Sequence, residues 1–135
     1  MVTVMKVAQI NMVSYGSTGK IMLQIAEVAR NAGHDARTYA TEPFQRKRVV
    51  VSNNIPEHYI WGSYFENMLH YYIGSTLGKN GFYSKRGTKW LLRELDKFAP
   101  DVVHLHNLHS HCINFPMLFH FLKEKNVKVI WTLHD

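Results

Sequence analysis

The chain has 135 residues, the usual size of a single domain, and it is 46% hydrophobic and 19% charged, a balance that excludes a disordered chain. Its formal net charge of +6 favours acidic partners, among them nucleotides, phosphates, anionic lipid headgroups and nucleic acid, without choosing among them. The lone Cys112 excludes an internal disulfide and fits a reducing cytoplasm. The sequence shows neither a secretory signal pattern nor an apolar run long enough to span a membrane, so we expect a cytoplasmic protein.

The first part of the chain alternates apolar runs with a stretch of helical periodicity. Residues 6–11 predict a buried strand, a helix begins at Gly19 and stops before Gly33, and residues 34–40 predict a second strand. The helix is expected to bury the apolar residues that recur at helical spacing, which are Ile21, Ile25, Val28, Ala29 and Ala32. A strand, a helix and a second strand in this order predict a parallel, right-handed βαβ unit.

The rest of the chain continues the alternation. Further strands are expected at 48–52, 101–107 and 127–133. Further helices are expected from Pro56 to about His70, after an N-cap at Thr88 and after an N-cap at Asn114, with a loop over 74–87. The pattern predicts one α/β domain over residues 1–135 with a doubly wound, mainly parallel sheet. Because no covering helix follows the last strand, we expect the sequence to be part of a larger protein.

The loop after the first strand is a candidate phosphate site. In a doubly wound sheet, ligands collect beyond the carboxyl ends of the strands. This loop reads Tyr15-Gly16-Ser17-Thr18-Gly19 and leads into a helix whose first N–H groups can face an anion. It is not a P-loop, which needs glycine where Ser14 stands and serine or threonine where Ile21 stands. The alternative is that its glycines are ordinary turn residues.

Histidines cluster at the ends of the last two predicted strands. His104 and His106 share one face of a strand, which suits two zinc ligands, but no carboxylate or helical histidine pair completes a set, so no metal is assigned. His104 is expected in the core, whereas His106 and Asn107 are expected to line the cleft. His134 follows the last strand and can serve in acid–base chemistry or donate a hydrogen bond to a substrate. The alternative for His134 is a structural histidine at a strand end.

A basic and aromatic stretch lies close to the middle of the chain. Such a stretch occurs at membrane surfaces, in nucleic-acid sites and in solvated loops whose aromatic side chains pack inward. Peripheral membrane contact is compatible with it, and nucleic acid is not expected as a partner. Its residues are Lys79, Phe82, Tyr83, Lys85, Arg86, Lys89 and Trp90.

Taken together, several segments resemble the N-terminal domain of family-4 retaining glycosyltransferases, enzymes of the GT-B class with two Rossmann-like halves. The likeness is strongest to members of the colanic-acid and exopolysaccharide biosynthesis type, and it runs almost from end to end. The matching segments are 6–11 with 16–21, 81–84 with Thr88, 100–107 and 131–135. Each motif alone is weak, whereas their combination and order are specific.

The resemblance implies that the parent enzyme transfers a sugar from a nucleotide-sugar to a glycan or lipid-linked acceptor with retention. A location at the inner face of the membrane is compatible with the cytoplasmic protein expected above. The resemblance also implies that no cofactor is needed beyond the nucleotide-sugar substrate. It places Gly16 to Gly19 opposite the donor phosphates, His134 at the transferred sugar, and His106 and Asn107 near the acceptor. Since the family's C-terminal half holds the donor, the present chain alone is expected to be inactive. The alternatives are a non-catalytic module that binds a nucleotide or phosphate, and a membrane-surface adaptor.

Overall fold

A computed structural model describes residues 3–42, 54–108 and 111–134. The strands in this part of the chain are β1 (Lys6–Ile10), β2 (Asp35–Thr41), β3 (His58–Trp61), β4 (Val102–Leu105) and β5 (Lys128–Trp131). The helices are α1 (Gly16–Asn31), α2 (Tyr64–Leu77), α3 (Lys85–Phe98) and α4 (Phe115–Glu124). The strand predicted at 48–52 lies outside the described residues, and the predicted N-cap at Asn114 is confirmed because its side chain accepts the Met117 N–H.

The strands form a single parallel sheet in the order β3-β2-β1-β4-β5. From the central β1, the chain builds outward through β2 to β3, then returns to the other side of β1 and builds outward through β4 to β5. This is a doubly wound, Rossmann-like sheet, so the predicted fold class is confirmed. The strand order reverses between β1 and β4, and the loops that follow these two strands leave the sheet in opposite directions.

Most of the core lies on the face of the sheet that α3 and α4 cover. The two helices pack against each other, and β1 and β4 direct alternate apolar side chains toward them. The members from these elements are Ala8, Ile10, Val103, Leu105, Leu91, Leu95, Leu118 and Leu122. The connection through α1 runs in the opposite direction along the sheet, so its right-handed crossover places α1 on the opposite face, over β1 and β2.

Helix α1 buries a different face from the one predicted. Its buried residues are Gly19, Met22 and Ala26, whereas Ile21 is exposed and Val28 is 68% exposed. Gly19 explains the rotation, because a Cβ on this residue would lie only 2.5 Å from the carbonyl carbon of Ser14. The first turn of α1 therefore packs directly on the backbone that leaves β1.

The helix predicted from Pro56 to His70 is wrong over its first half. Residues 58–61 form the edge strand β3, in which Trp61 is fully buried and pairs in register with Thr41 of β2. Gly62 then takes a positive φ of 67°, and Ser63 caps α2 by accepting the Glu66 N–H. Apolar residues four apart suggested one helix because their spacing continues across a strand, a tight turn and a helix.

The predicted start of α3 is also wrong. The helix begins at Lys85, and Thr88 lies inside it, fully buried, where its hydroxyl accepts the Asn114 N–H. The predicted loop over 74–87 is shorter than expected, because α2 continues to Leu77 before the loop begins. Thr88 therefore links α3 to the start of α4 instead of capping the N-terminus of α3.

Substitutions at Gly16 and Gly19 should separate two different reasons for glycine. Gly16 needs a positive φ of 68° and has open space around it, so Asn, which tolerates this conformation, should be less damaging there than Ala. At Gly19 the constraint is space, so Ala should cost about 1–3 kcal/mol and the larger Asn should cost more. Urea unfolding of the four variants tests this ranking, and the same ranking at both positions would contradict it.

Candidate functional site

The candidate site lies at the carboxyl edge of the sheet, where the segments that follow β1, β4 and β5 meet. The segment after β1 leads into α1, the segment after β4 contains His106 and Asn107, and the segment after β5 contains His134. Hydrogen bonds between main-chain groups join these segments: Met12 N–H donates to Asn107 O at 3.1 Å, and Thr132 N–H donates to Leu105 O at 2.9 Å. The point at which strand order reverses is therefore bridged by backbone contacts.

Asn11 joins the glycine loop to the segment after β4. Its buried side-chain amide donates to Val13 O at 2.8 Å and to the hydroxyl of Thr18 at 3.2 Å. Its side-chain oxygen accepts the N–H of Asn107 at 3.0 Å. Asn11 was not predicted as a site residue, although its position as a polar residue at the end of a buried strand could have indicated one.

The N-terminus of α1 faces this edge without a side-chain cap among the described residues. Tyr15 occupies the N-cap position in an extended conformation, and the first turn of α1 contains no acidic residue. Gly16 and Ser17 are exposed, and Thr18 is half-buried with its hydroxyl bound to Asn11. The positive end of the helix dipole is thus open at Gly16 and Ser17, as an anion site requires. Gly19 is buried, so what it contributes here is close packing.

His106 is fully buried between Gln9 and His134. Its Nε2 lies 2.5 Å from Gln9 Oε1, and its Nδ1 lies 3.1 Å from His134 Nε2. An amide oxygen can only accept, so Nε2 of His106 carries the proton toward Gln9. The neutral His106 ring then presents Nδ1 as an acceptor, and His134 donates to it from Nε2–H. Gln9 therefore fixes the orientation of His106, and His106 in turn fixes that of His134.

The environment keeps His106 neutral. Burial of the ring, followed by the nearby His104 and His134, lowers the pKa of His106 to about 4. The ring of His104 stacks on that of His106 at a centroid distance of 4.0 Å, and its Nε2 lies 2.7 Å from the Thr132 hydroxyl. Burial, with a smaller effect of His134, also lowers the pKa of His104. His104 is half-buried on the sheet face opposite Val103 and Leu105, not within the main core.

The structure thus brings together the residues predicted for the site. His106, Asn107 and His134 are adjacent, and Asn11 connects them to the loop over 15–19. His134 is half-buried, and its Nδ1 has no hydrogen bond to the described residues. Within the same residues, no group of three or more histidine, cysteine or acidic side chains is arranged to hold a metal ion.

A second buried polar cluster, centred on His70, was not predicted. His70 Nε2 accepts the Gly81 N–H at 3.1 Å, so its Nδ1 is protonated and donates to the Ser84 hydroxyl at 2.6 Å. Burial, with a smaller effect of His111, lowers the pKa of His70 to about 4. Asn67 donates to the hydroxyl of Thr41 at 2.9 Å, which connects this cluster to the end of β2. The cluster fixes α2 against the start of α3.

Acid should destabilise the fold through its neutral histidines. In the folded chain the pKa values of His70 and His106 are about 4, whereas in the unfolded chain they return to about 6.5. Near pH ~5 the unfolded chain therefore binds about two more protons at these positions, so stability is greatest above pH ~6.5 and falls as pH drops toward ~4. Burial also lowers the pKa of His58 and His104, which acts in the same direction.

Urea unfolding between about pH 7.5 and pH 4 measures this dependence. Near pH ~5, each of His70→Gln and His106→Gln should lower by about one the number of extra protons that the unfolded chain binds relative to the folded chain. This holds whatever the effect of the variant on stability at neutral pH. His120→Gln, on the exposed side of α4, is the matched control for loss of a surface histidine. Equal slopes in all variants would contradict the neutral state assigned to the buried rings.

A carboxylate in place of the Gln9 amide should make His106 easier to protonate. In Gln9→Glu, the charge facing Nε2 favours the imidazolium, so the pKa of His106 should rise from about 4 to roughly 5–7. Once it is protonated, the ring has no acceptor for His134. NMR titration of the His106 ring measures the shift, with the exposed Gln24→Glu as control. An unchanged His106 pKa in Gln9→Glu would show that Gln9 does not set this tautomer.

Sequence comparison with known families and curated proteins does not identify a function for this arrangement of residues. No protein-family model matches the chain, and no curated protein has significant sequence similarity to it.

Proposed function

We propose that this chain is the acceptor-side, Rossmann-like domain of a retaining glycosyltransferase, which transfers a sugar from a nucleotide-sugar to a glycan or lipid-linked acceptor. One observation carries the proposal. A continuous set of hydrogen bonds runs from Thr18 through Asn11 to the segment of Asn107 and His106, and then to His134. It connects an uncapped helix N-terminus with an oriented histidine at the edge where doubly wound sheets bind ligands.

The two ends of this set have complementary roles in sugar transfer. The leaving diphosphate gains negative charge in the transition state, and positioned donors and dipoles stabilise such charge. The first turn of α1, open at Gly16 and Ser17, is suited to this task. At the other end, His134 is oriented by neutral His106 and leaves Nδ1 toward the substrate, where it can bind a sugar hydroxyl. Asn107 lies beside His106, on the acceptor side in this proposal.

A second candidate is a non-catalytic module that binds a nucleotide or phosphate at α1. The same open helix N-terminus supports it, and it requires no chemical role for His134. The two proposals differ in what His134 does: it determines turnover in a transferase and is dispensable for phosphate binding in the module. The test therefore has to measure binding and transfer separately.

The decisive variant is His134→Ala in the protein translated from the complete gene. Release of nucleoside diphosphate is followed for a panel of nucleotide-sugars with glycan and lipid-linked acceptors, and the anomeric configuration of the product is determined by NMR. We expect a loss in kcat of roughly 10²–10³ with little change in thermal stability, because His134 is half-buried and outside the main core. His120→Ala, on the exposed side of α4, should keep full turnover.

Three outcomes would count against this proposal. Unchanged turnover in His134→Ala would remove His134 from the site. Nucleotide binding without transfer of any sugar would favour the non-catalytic module. Since the donor is expected to bind mainly to the family's C-terminal half, residues 1–135 alone should transfer no sugar, and measurable transfer by them would contradict the acceptor-side assignment.

A further inference from the structure

An exposed apolar surface runs along α2 and the start of α3. Phe65 is 67% exposed, Leu69 47% and Phe82 54%. Between Glu66 and Lys79 the sequence contains no lysine, arginine, aspartate or glutamate, so this length of α2 carries no permanent charge. Phe65 and Leu69 line one cleft, and Phe82 lines a neighbouring groove that shares Tyr83 and Lys85 with it. A soluble helix normally places charged residues on its exposed side, and an exposed apolar surface of this kind marks an interaction site.

A cleft of about 710 Å³ lies between α2 and α3 within this surface. Its apolar lining comes from Phe65, Leu69, Ile73 and Trp90. His70 and Ser84 also line it, and since burial lowers the pKa of His70 to about 4, this part of the lining is uncharged at neutral pH. This part of the cleft can therefore accept apolar groups, whereas Lys85 and Arg86 line another part of it.

Cations surround the apolar surface. These cations are Lys79, Lys85, Arg86 and Lys89. None of the four forms an ion pair with the described residues. Of the described residues that line the cleft, only Glu66 is acidic, and its two carboxylate oxygens accept the Gly87 N–H at 3.0 and 3.2 Å. Its charge is thus directed to the N-terminus of α3. We call these four cations together with Phe65, Leu69, Phe82 and Trp90 the aromatic–basic face.

Phe82 does not pack inward, as the alternative of a solvated loop with buried aromatic side chains would require. It is 54% exposed, whereas Trp90 is 37% exposed and lines the cleft, and Tyr83 is half-buried beside His70. That alternative is therefore wrong for Phe82. The rings of Phe82 and Trp90 lie in a stretch with lysines and an arginine, an arrangement typical of protein segments at the boundary between lipid headgroups and acyl chains.

We propose that the aromatic–basic face docks on the surface of a bilayer that contains anionic lipids. Its rings and leucine enter the headgroup boundary, and its cations contact the lipid phosphates. The aliphatic Leu69 and Ile73 favour acyl chains over nucleic acid, because they offer bases no ring to stack on. Four cations, with no acidic residue besides the bound Glu66 among the described lining of the cleft, favour an anionic surface over a protein of mixed charge. Among the described residues, no helix combines the length and apolar character needed to cross a bilayer.

Vesicle binding by the 135-residue chain tests this docking without any nucleotide-sugar or acceptor, so its failure is distinguishable from failure of the proposed transferase function. Co-sedimentation is measured with vesicles of phosphatidylcholine alone and of phosphatidylcholine with about 30% phosphatidylglycerol. The anionic vesicles should bind at least roughly tenfold more tightly at low salt, and the difference should decrease as salt is added.

Two double variants divide the face into its charged and apolar parts. Lys85→Glu with Arg86→Glu removes the attraction to the phosphates, and Phe65→Ser with Phe82→Ser removes the inserted rings. Each should weaken binding to anionic vesicles by about tenfold or more. Because all four side chains are exposed, melting temperatures should stay close to that of the parent chain.

Matched controls make the same chemical changes elsewhere on the surface. Lys20→Glu with Lys123→Glu changes the same net charge on α1 and α4, and Val28→Ser removes an equally exposed apolar side chain from α1. These variants should bind as the parent does. Equal losses in the controls, or full binding in both face variants, would overturn the proposal.

Two further outcomes would replace the lipid by another partner. A dimer that Phe65→Ser with Phe82→Ser converts to a monomer, without vesicle affinity in the parent chain, would assign the face to a second copy. Single-stranded DNA that binds through Lys85 and Arg86 with no contribution from Phe65, and that displaces the vesicles, would assign it to nucleic acid. A fluorescence blue shift of Trp90 on vesicle binding, absent with phosphatidylcholine alone, would support the lipid.

Discussion

The side chain of Asn11 satisfies the constraint on which the site depends. Where a doubly wound sheet reverses its strand order, the chains after β1 and β4 separate soon after the Met12–Asn107 backbone contact, and groups such as the Val13 carbonyl and the Asn107 N–H lack a partner in the ladder. A buried peptide group without a hydrogen bond costs free energy, so these groups need another partner. Asn11 supplies one to the Val13 carbonyl and one to the Asn107 N–H. By also binding Thr18, it holds the glycine loop against the same point.

Side-chain alternation along β4 then determines on which face of the sheet its histidines lie. Val103 and Leu105 face the core under α3 and α4, so His104 and His106 lie on the other side of the sheet. There they meet β1 and the segment after β5 through Gln9, Thr132 and His134. Burial disfavours the charged form of His104 and His106, and the Gln9 oxygen fixes which nitrogen of His106 donates. This part of the sheet is thus polar and oriented without carrying a buried charge.

Much of the fold could be predicted because it depends on local patterns. Short apolar runs separated by helical segments were sufficient to place β1, β2, β4 and β5 within a few residues and to predict a parallel sheet. The edge strand β3 was missed because Ile60 and Tyr64 continue a helical spacing across Gly62, whose positive φ ends the strand. The buried side of α1 was missed because a backbone contact at Gly19, and not the count of apolar residues, sets the rotation of the helix.

The candidate site was predictable in position but not in its connections. The rule that ligands bind at the carboxyl ends of parallel strands brought His106, Asn107 and His134 to one edge. Gln9 and His106 are 97 residues apart, and Asn11 and Asn107 are 96 apart, so nothing local indicates that they pair. The tautomers of the histidines follow from these pairings. They became visible only when the register of β1 with β4 was known.

The same edge relates the two proposals to each other. Gly62 ends β3 at the carboxyl side of the sheet, and Gly87 in the first turn of α3 packs so closely on it that a Cβ on Gly87 would lie 2.7 Å from the Gly62 Cα. The aromatic–basic face therefore begins at the edge that carries His134. Between β3 and β5 lie four strand spacings, about 19 Å at ~4.8 Å each. If both proposals hold, a lipid-linked acceptor held by its headgroup at the bilayer would have to extend across roughly this distance to reach the transferred sugar. An acceptor with an extended glycan or phosphate segment meets that requirement, whereas a single sugar attached directly at the bilayer surface is too short.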